Sequence, residues 1–414
     1  MKDEVVYKLV SGGREIRKIY RMSKQEYVID QETIIKNISN TPSLSAIDFN
    51  ALQINISLVK KISAQENGLY EYSVSSELKT FRKSSASKFS QKEAKSVNEP
   101  AKWVGFRDKY YCAVFKPEFD NVSYKILPAS ETQIGLSIQT KPIALNPGAQ
   151  VSLKGFYYFG PQDMEILSKQ GLGDYVVFSQ YAILDFFSKI VLKIVYFLHK
   201  FIPSLGLCII LVSIIIYGLM YPLTMSGLLS MKKMQSLQPK IAKIKEQYKN
   251  NPQKLNQEVM ALYKENSINP FGGCLPLILQ MPVFIGLYQA LWRSVIFQGQ
   301  GFLWIKDLSM PDRLFILPKS LPIIGNNINI LPLFMMVAMF FQQKLSSKSM
   351  APTDETQIMQ QKMMMWFFPI FLGVLFYNFG SGLNLYFTVF YILSTLSQLK
   401  MSKMNVTKDE PIAE

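Results

Sequence analysis

From Phe201 to Met231 the chain carries no formally charged residue. That run is longer than the roughly 20 apolar residues a helix needs to cross about 30 Å of hydrocarbon. It closes on Tyr217-Gly218-Leu219-Met220-Tyr221-Pro222-Leu223-Thr224, and Lys232, Lys233, Lys240, Lys243, Lys245 and Lys249 follow. A positive cluster of this kind is retained on the cytoplasmic side. The run is therefore expected to enter a membrane from outside and to end inside, which fixes the orientation of the rest. An integral membrane protein is expected.

A chain of 414 residues has room for two domains, and its apolar residues are unevenly spread. The net charge of +15 comes largely from lysines that flank apolar runs, with no Gly/aromatic RNA-binding signature. The charge points to a membrane surface and to no specific nucleic acid. Cys112, Cys208 and Cys274 show no CxxC and no pairing pattern, so neither a disulfide framework nor a zinc site is indicated, and no cofactor is expected. Met1-Lys2-Asp3-Glu4 leads straight into soluble sequence without a signal-like apolar region. Export of the region before Phe201 needs a signal or anchor, so a segment is expected to precede this sequence.

Residues 1–178 read as a β-sandwich domain on the outer, periplasmic side. Tyr27–Ile35 and Leu52–Val59 are rich in β-branched residues, and further runs at Tyr110–Phe115, Ser123–Leu127, Gln133–Gln139 and Val151–Phe159 are bounded by turn signals. Asn146-Pro147-Gly148 is the clearest of these turns, and residues 84–100 read as a loop. Residues 179–200 read as an amphipathic helix. Asp185, Lys189, Lys193, Tyr196 and Lys200 form a polar stripe opposite Phe186, Phe187, Ile190, Ile194 and Phe197. The stripe and the position before a spanning run favour a place in the membrane interface over a core helix under the sandwich.

Residues 201–400 read as the membrane core, with a cytoplasmic helical hairpin inserted at 225–266. Leu237, Ile241, Ile244 and Tyr248 line one arm and Leu255, Val259 and Leu262 the other. Asn250-Asn251-Pro252 separates them, with Pro252 suited to a first helical position. The hairpin surface lysines Lys232, Lys233, Lys240, Lys243 and Lys245 read first as a solvated face; docking on a ribosome or on lipid headgroups is the sharper alternative. Asn266–Trp292 is uncharged and is expected to return outward, and Ser320–Gln343 to cross back in. Met363–Leu399, also uncharged, is too long for one helix and is divided by Asn378-Phe379-Gly380-Ser381-Gly382. Two helices with an outside turn fit, each short at about 1.5 Å per residue, which implies local thinning of the bilayer. The expected fold is a membrane α-helical bundle of five spanning helices with a cytoplasmic hairpin, preceded by a periplasmic β-sandwich, with residues 401–414 as a short cytoplasmic tail.

Several stretches, in this order and spacing, resemble the YidC/Oxa/Alb membrane-insertase family in its Gram-negative YidC form. They are Tyr217–Thr224, Leu237-Gln238-Pro239-Lys240-Ile241, Asn269–Pro276, Gln280-Met281-Pro282-Val283-Phe284 and Gly380-Ser381-Gly382-Leu383-Asn384-Leu385-Tyr386. Trp103-Val104-Gly105-Phe106, Asn146-Pro147-Gly148 and Phe159-Gly160-Pro161 are similar to the family's periplasmic domain. The resemblance implies a bacterial inner-membrane protein with its C-terminus in the cytoplasm. It further implies that nascent membrane proteins are inserted and folded, alone or beside the Sec translocon, through a polar groove closed on the outside. Membrane lipids and, at the basic hairpin, the ribosome are the remaining partners to consider. On this likeness Ser213, Tyr217, Gln280 and Tyr386 belong to the substrate groove. Tyr217 stands where the family usually places an arginine, Phe387 where a polar-tipped aromatic is common, and Gly380 where proline is common.

The alternative is a transporter or channel, but ion coupling places ionisable residues inside the membrane and the expected spans contain none. An intramembrane enzyme needs a base beside its nucleophile. The single histidine, His199, is expected to cap the interface helix instead. No bond-making chemistry is expected.

Overall fold

The computed structural model describes residues 4–45, 47–55, 71–76, 82–85, 95–119, 122–130, 133–179, 181–268, 275–321, 325–348 and 355–403. The chain divides into two compact units, Met1–Val177 with Arg293–Val295, and Phe178–Trp292 with Ile296–Glu414.

The first unit is built from β1 (Glu4–Ser11), β2 (Arg14–Met22), β3 (Val28–Asn37), β4 (Ser43–Ser45), β5 (Asp48–Asn55), β6 (Glu71–Ser76), β7 (Arg82–Ser85), β8 (Lys95–Arg107), β9 (Tyr111–Pro117), β10 (Val122–Ser130), β11 (Gln133–Thr140), β12 (Ile143–Leu145) and β13 (Gln150–Pro161). Its main sheet is one continuous hydrogen-bonded path, β1-β2-β3-β13-β9-β8-β10-β11-β5, with β6 and β7 branching from β8. The long strand β8 joins the two halves. Val104–Arg107 pair with β9, while Lys95–Pro100 pair with β10. The path folds back on itself, so that β5 lies near β9 without sharing a ladder with it.

Burial follows the pleat. Along β3, Gln31, Thr33, Ile35 and Asn37 point inward, and Gln31 hydrogen-bonds Thr33. Asn37 donates to the Thr41 and Leu145 carbonyls, each at 2.9 Å, tying the β3 end to β12. The turn at Asn146-Pro147-Gly148 forms as the sequence implies: Ala149 N–H donates to the Asn146 carbonyl and Gly148 has a φ of +78°. The short helix α1 (Met164–Lys169), capped by Asp163, and the turn at Gly173–Tyr175 close one side. Trp103, Tyr158, Leu167, Leu172 and Tyr175 are buried there.

The structure revises one reading of this unit and extends others. The loop expected at 84–100 contains the end of β7 and the start of β8, because pairing to β10 supplies ladder partners that no local signal announces. Pro100 is accommodated where the β8–β10 register shifts. The hairpin of β1 and β2, turned by Gly12 and Gly13 with φ of 59° and 70°, adds two strands not singled out from the sequence. The strand expected at 52–59 is β5, and its residues 56–59 lie outside the described residues.

The second unit holds α2 (Ala182–His199), α3 (Leu205–Ser236), α4 (Gln238–Gln247), α5 (Pro252–Glu265), α6 (Leu275–Arg293), the hairpin β14 (Phe315–Leu321) with β15 (Gly325–Ile328), α7 (Leu331–Lys348), α8 (Glu355–Phe376) and α9 (Ser381–Lys403). Asp185 in α2 accepts from the Phe178 N–H at 2.7 Å and pairs with Lys189 at 2.9 Å. His199 Nδ1 lies 3.1 Å from the Ile202 carbonyl just past the helix end. The buried face of α2 is Ser188, Val191, Leu192 and Val195, whereas Ile183, Phe186, Ile190 and Phe197 are exposed. Gly286 of α6 lets α2 approach closely: a Cβ there would meet Phe187 Cβ at 2.7 Å, and Ser188 donates to the Gly286 carbonyl at 2.8 Å.

Among the described residues one helix, Leu205–Met234, is long and apolar enough to cross a membrane by itself; the apolar part of α8, Lys362–Phe376, is shorter. Residues 225–236, read as the start of the hairpin, instead continue α3. The break comes only at Leu237, about three turns past residue 225, where Pro239 has no N–H for the preceding turn. Asn251 caps α5 and Pro252 opens it. Leu237, Ile241 and Leu262 pack with Ile268, Met234, Ile244, Val259 and Tyr263. Replacing Ile241 by alanine is expected to cost the hairpin about 2 kcal/mol. Hydrogen exchange should quicken in α4 and α5 while α9 is unchanged; equal effects in α9 would contradict a separate hairpin core. The crossing expected from Ser320 begins only at Leu331, since β14 and β15 occupy the preceding stretch. The division at Asn378–Gly382 falls between α8 and α9, and both helices run past the uncharged stretch into flanking charged residues.

Candidate functional site

Helix α9 packs against both α3 and α7. Spacing of four on α3 puts Ser213 and Tyr217 on one face. Both are buried, and the Ser213 hydroxyl donates to the Ile209 carbonyl of its own helix at 2.7 Å. Tyr217 meets Phe390 of α9 edge-on, ring centroids 5.5 Å apart. Phe390 stacks on Tyr386 one turn earlier at 6.1 Å. Tyr386, fully buried, is 3.4 Å from the amide nitrogen of half-buried Gln280 on α6, which donates to the phenol oxygen. Tyr217, Tyr386 and Gln280 thus belong to one cluster bridged by Phe390. Ser213 lies one turn before Tyr217 with its hydroxyl bonded back to its own helix, and it stands apart from that cluster.

The Tyr217 hydroxyl faces the side chains of Ser397 and Ser394 on α9, yet neither reaches hydrogen-bond geometry and the hydroxyl is unpartnered. Phe390, Ser394 and Gln398 were not read as site residues. Their signal is a ladder of four, Tyr386, Phe390, Ser394 and Gln398, two of whose members are polar within a largely apolar helix. Phe387 packs on Phe284 and Phe376 at 5.2 and 5.4 Å, as an apolar neighbour of the cluster. The methionines divide. Met335 and Met339 are buried between helices, whereas Met281, Met363 and Met364 are exposed.

At one end of this unit, the turn between α8 and α9 is stitched to the loop before β14. Ser381 N–H and hydroxyl both donate to the Met310 carbonyl, at 2.8 and 2.6 Å, and Gly382 N–H donates to the Leu308 carbonyl at 2.8 Å. Gly380 is required here, since a Cβ would lie 2.9 Å from the Ser309 carbonyl oxygen. Asp312, buried, accepts from the Ile330 and Leu331 N–H groups at 2.8 and 3.0 Å and from the Trp304 indole at 3.3 Å, capping α7 from a distance. Asn329 and Tyr377 complete the network. On the hairpin, Lys240 and Lys243 are exposed, while Lys232, Lys233 and Lys245 are half-buried. The Asn269–Cys274 part of the family-like stretches lies outside the described residues.

Two family profiles together match nearly the whole chain: the 60Kd inner membrane protein over residues 197–409, and the YidC periplasmic domain over residues 2–194. The chain belongs to the YidC family. It is similar to the membrane protein insertase YidC of Pelobacter propionicus, with 33% identity over 97% of this chain and 72% of that protein. To the YidC of Chloroherpeton thalassium it is 36% identical over 78% of this chain; the matched part spans 55% of that relative's length. Among solved structures, the crystal structure of an active YidC insertase with its first transmembrane domain resolved is similar at 19% identity and a TM-score of 0.42, over 98% of this chain and 76% of that one. The YidC family places the β-rich unit as a periplasmic domain and the protein in the inner membrane.

Proposed function

We propose that the protein is a membrane protein insertase and folding chaperone. It takes nascent membrane proteins from the cytoplasm into the inner membrane, alone or beside the Sec translocon. The observation that carries this reading is the cluster of Tyr217, Tyr386 and Gln280, polar groups brought together deep among apolar helices of a YidC-family chain. A charged residue costs at least about 2.5–3.5 kcal/mol at the centre of a spanning helix on insertion scales. Polar groups held at that depth shorten the path over which a client segment bears the cost. No bond is made or broken.

In this reading α3, α6, α7, α8 and α9 are the five spans, with the hairpin and C-terminus in the cytoplasm. The exposed Phe186, Ile190 and Phe197 of α2 rest in the interface. The stitched turn between α8 and α9 closes the groove on the periplasmic side. The hairpin lysines meet lipid headgroups or the ribosome.

Depletion of the protein is expected to leave small single-span and double-span proteins uninserted, read as loss of protease protection of their exported segments. Unchanged protection after full depletion would refute the reading.

A further inference from the structure

Two polar atoms beside the cluster have no partner. The Tyr217 hydroxyl is one, on a residue 6% exposed; the other is the side-chain carbonyl oxygen of Gln398, 9% exposed and one turn beyond Ser394 on α9. A buried polar group left without a hydrogen bond costs about 1–3 kcal/mol, and native structures hold few of them. Two of them beside the same serines, Tyr217 on α3 and Gln398 on α9, in a region read as receiving client segments, call for a ligand that completes them. Their chemistry is specific. The tyrosine can donate to an acceptor, whereas the glutamine oxygen can only accept. Charge is absent from the group, because Tyr217, Ser394, Ser397 and Gln398 are all neutral.

We propose that Tyr217, Ser394, Ser397 and Gln398 form a neutral hydrogen-bonding site for uncharged amide groups of a client segment in transit, its peptide units or its Asn and Gln side chains. An amide offers a carbonyl for the Tyr217 O–H and an N–H for the Gln398 oxygen. A carboxylate offers acceptors alone, which serve the Tyr217 O–H but leave the Gln398 oxygen without a donor, so the site gives an acidic segment no advantage over an amide. The inference rests on the insertase reading and names the client chemistry that the groove accepts.

The test uses the full chain in proteoliposomes and two single-span clients that differ only in whether their translocated segment carries Asp or Asn at the same positions. Insertion is read by protease protection at low and high salt. The wild-type protein is expected to insert the Asn client at least as fast as the Asp client, with no salt dependence in the comparison. Tyr217→Phe, which keeps ring and packing, and Gln398→Leu are each expected to slow insertion about tenfold, the worth of one buried hydrogen bond. A photocrosslinker at Ser397 in otherwise wild-type protein is expected to capture the translocated segment, a readout independent of how the variants fold. If the wild-type protein inserts neither client, the insertase reading falls and this inference with it. If it inserts clients but prefers the acidic one, if both variants keep the wild-type rate, or if Ser397 captures nothing, the insertase reading stands and the neutral site is wrong.

Discussion

Replacing Trp103 by alanine is expected to cost the β-rich unit about 4 kcal/mol, within the range for deleting a large buried aromatic side chain. The indole is 2% exposed, and its ring lies 4.8 Å from that of Tyr175. The surroundings are poorly placed to collapse into the space. The Tyr175 hydroxyl is tied to the Phe106 carbonyl at 3.1 Å, and Gly105 already sits close enough that a Cβ would meet the Ala113 carbonyl at 2.9 Å and the Tyr175 ring at 3.0 Å. The cavity therefore persists, and its cost adds to the lost burial. Hydrogen exchange in the full chain should show β8 and β9 amides that open globally exchanging about a thousandfold faster, since each 1.4 kcal/mol is a factor of ten. Trp103→Phe should recover much of the loss. A tenfold change or less in Trp103→Ala would show that the ring is not part of the core.

Asp312→Ala is expected to cost the helical unit about 3 kcal/mol. One carboxylate oxygen, on a residue 3% exposed, accepts from the Ile330 and Leu331 N–H groups where α7 starts and from the Trp304 indole. Hydrogen bonds to a charged group contribute about 1.5–3 kcal/mol each, and buried donors left unmade carry their desolvation penalty. The negative charge also faces the positive end of the α7 dipole. Asp312→Asn keeps one accepting oxygen for these donors and should cost about 1 kcal/mol. A denaturant titration in detergent micelles compares the two. Equal losses would mean that Asp312 acts through packing and not as a cap. The same variants report on the stitched turn, because Asn329 and Tyr377 are held through the segment that Asp312 anchors.

Local signals carried much of the fold. The uncharged run after Phe201 is α3, and the uncharged stretch ending at Leu399 divides where Asn378–Gly382 interrupts it. Pro252 opens a helix because its missing N–H is one that the first turn leaves unpaired anyway. Leu237, Ile241 and Leu262 meet because spacings of three and four place them on facing sides. Each of these depends on charge, backbone donors or side-chain period within a few residues, and a sequence states those directly.

The tertiary structure decided what distant segments do to one another. Lys95–Pro100 read as a loop and became strand because β10 supplies hydrogen-bond partners. The helix read from Ser320 starts at Leu331, where a carboxylate from Asp312 caps it. Tyr217, Gln280 and Tyr386 were legible as candidates, but the ring of Phe390 that joins Tyr217 to Tyr386 was not. By itself the sequence determined which segments leave water and where helices break, since transfer free energy and backbone chemistry belong to each residue. Only the tertiary structure decided which buried polar atoms find partners and which, like the Tyr217 hydroxyl, are left without one, because a hydrogen bond belongs to a pair of atoms that the chain must first bring together.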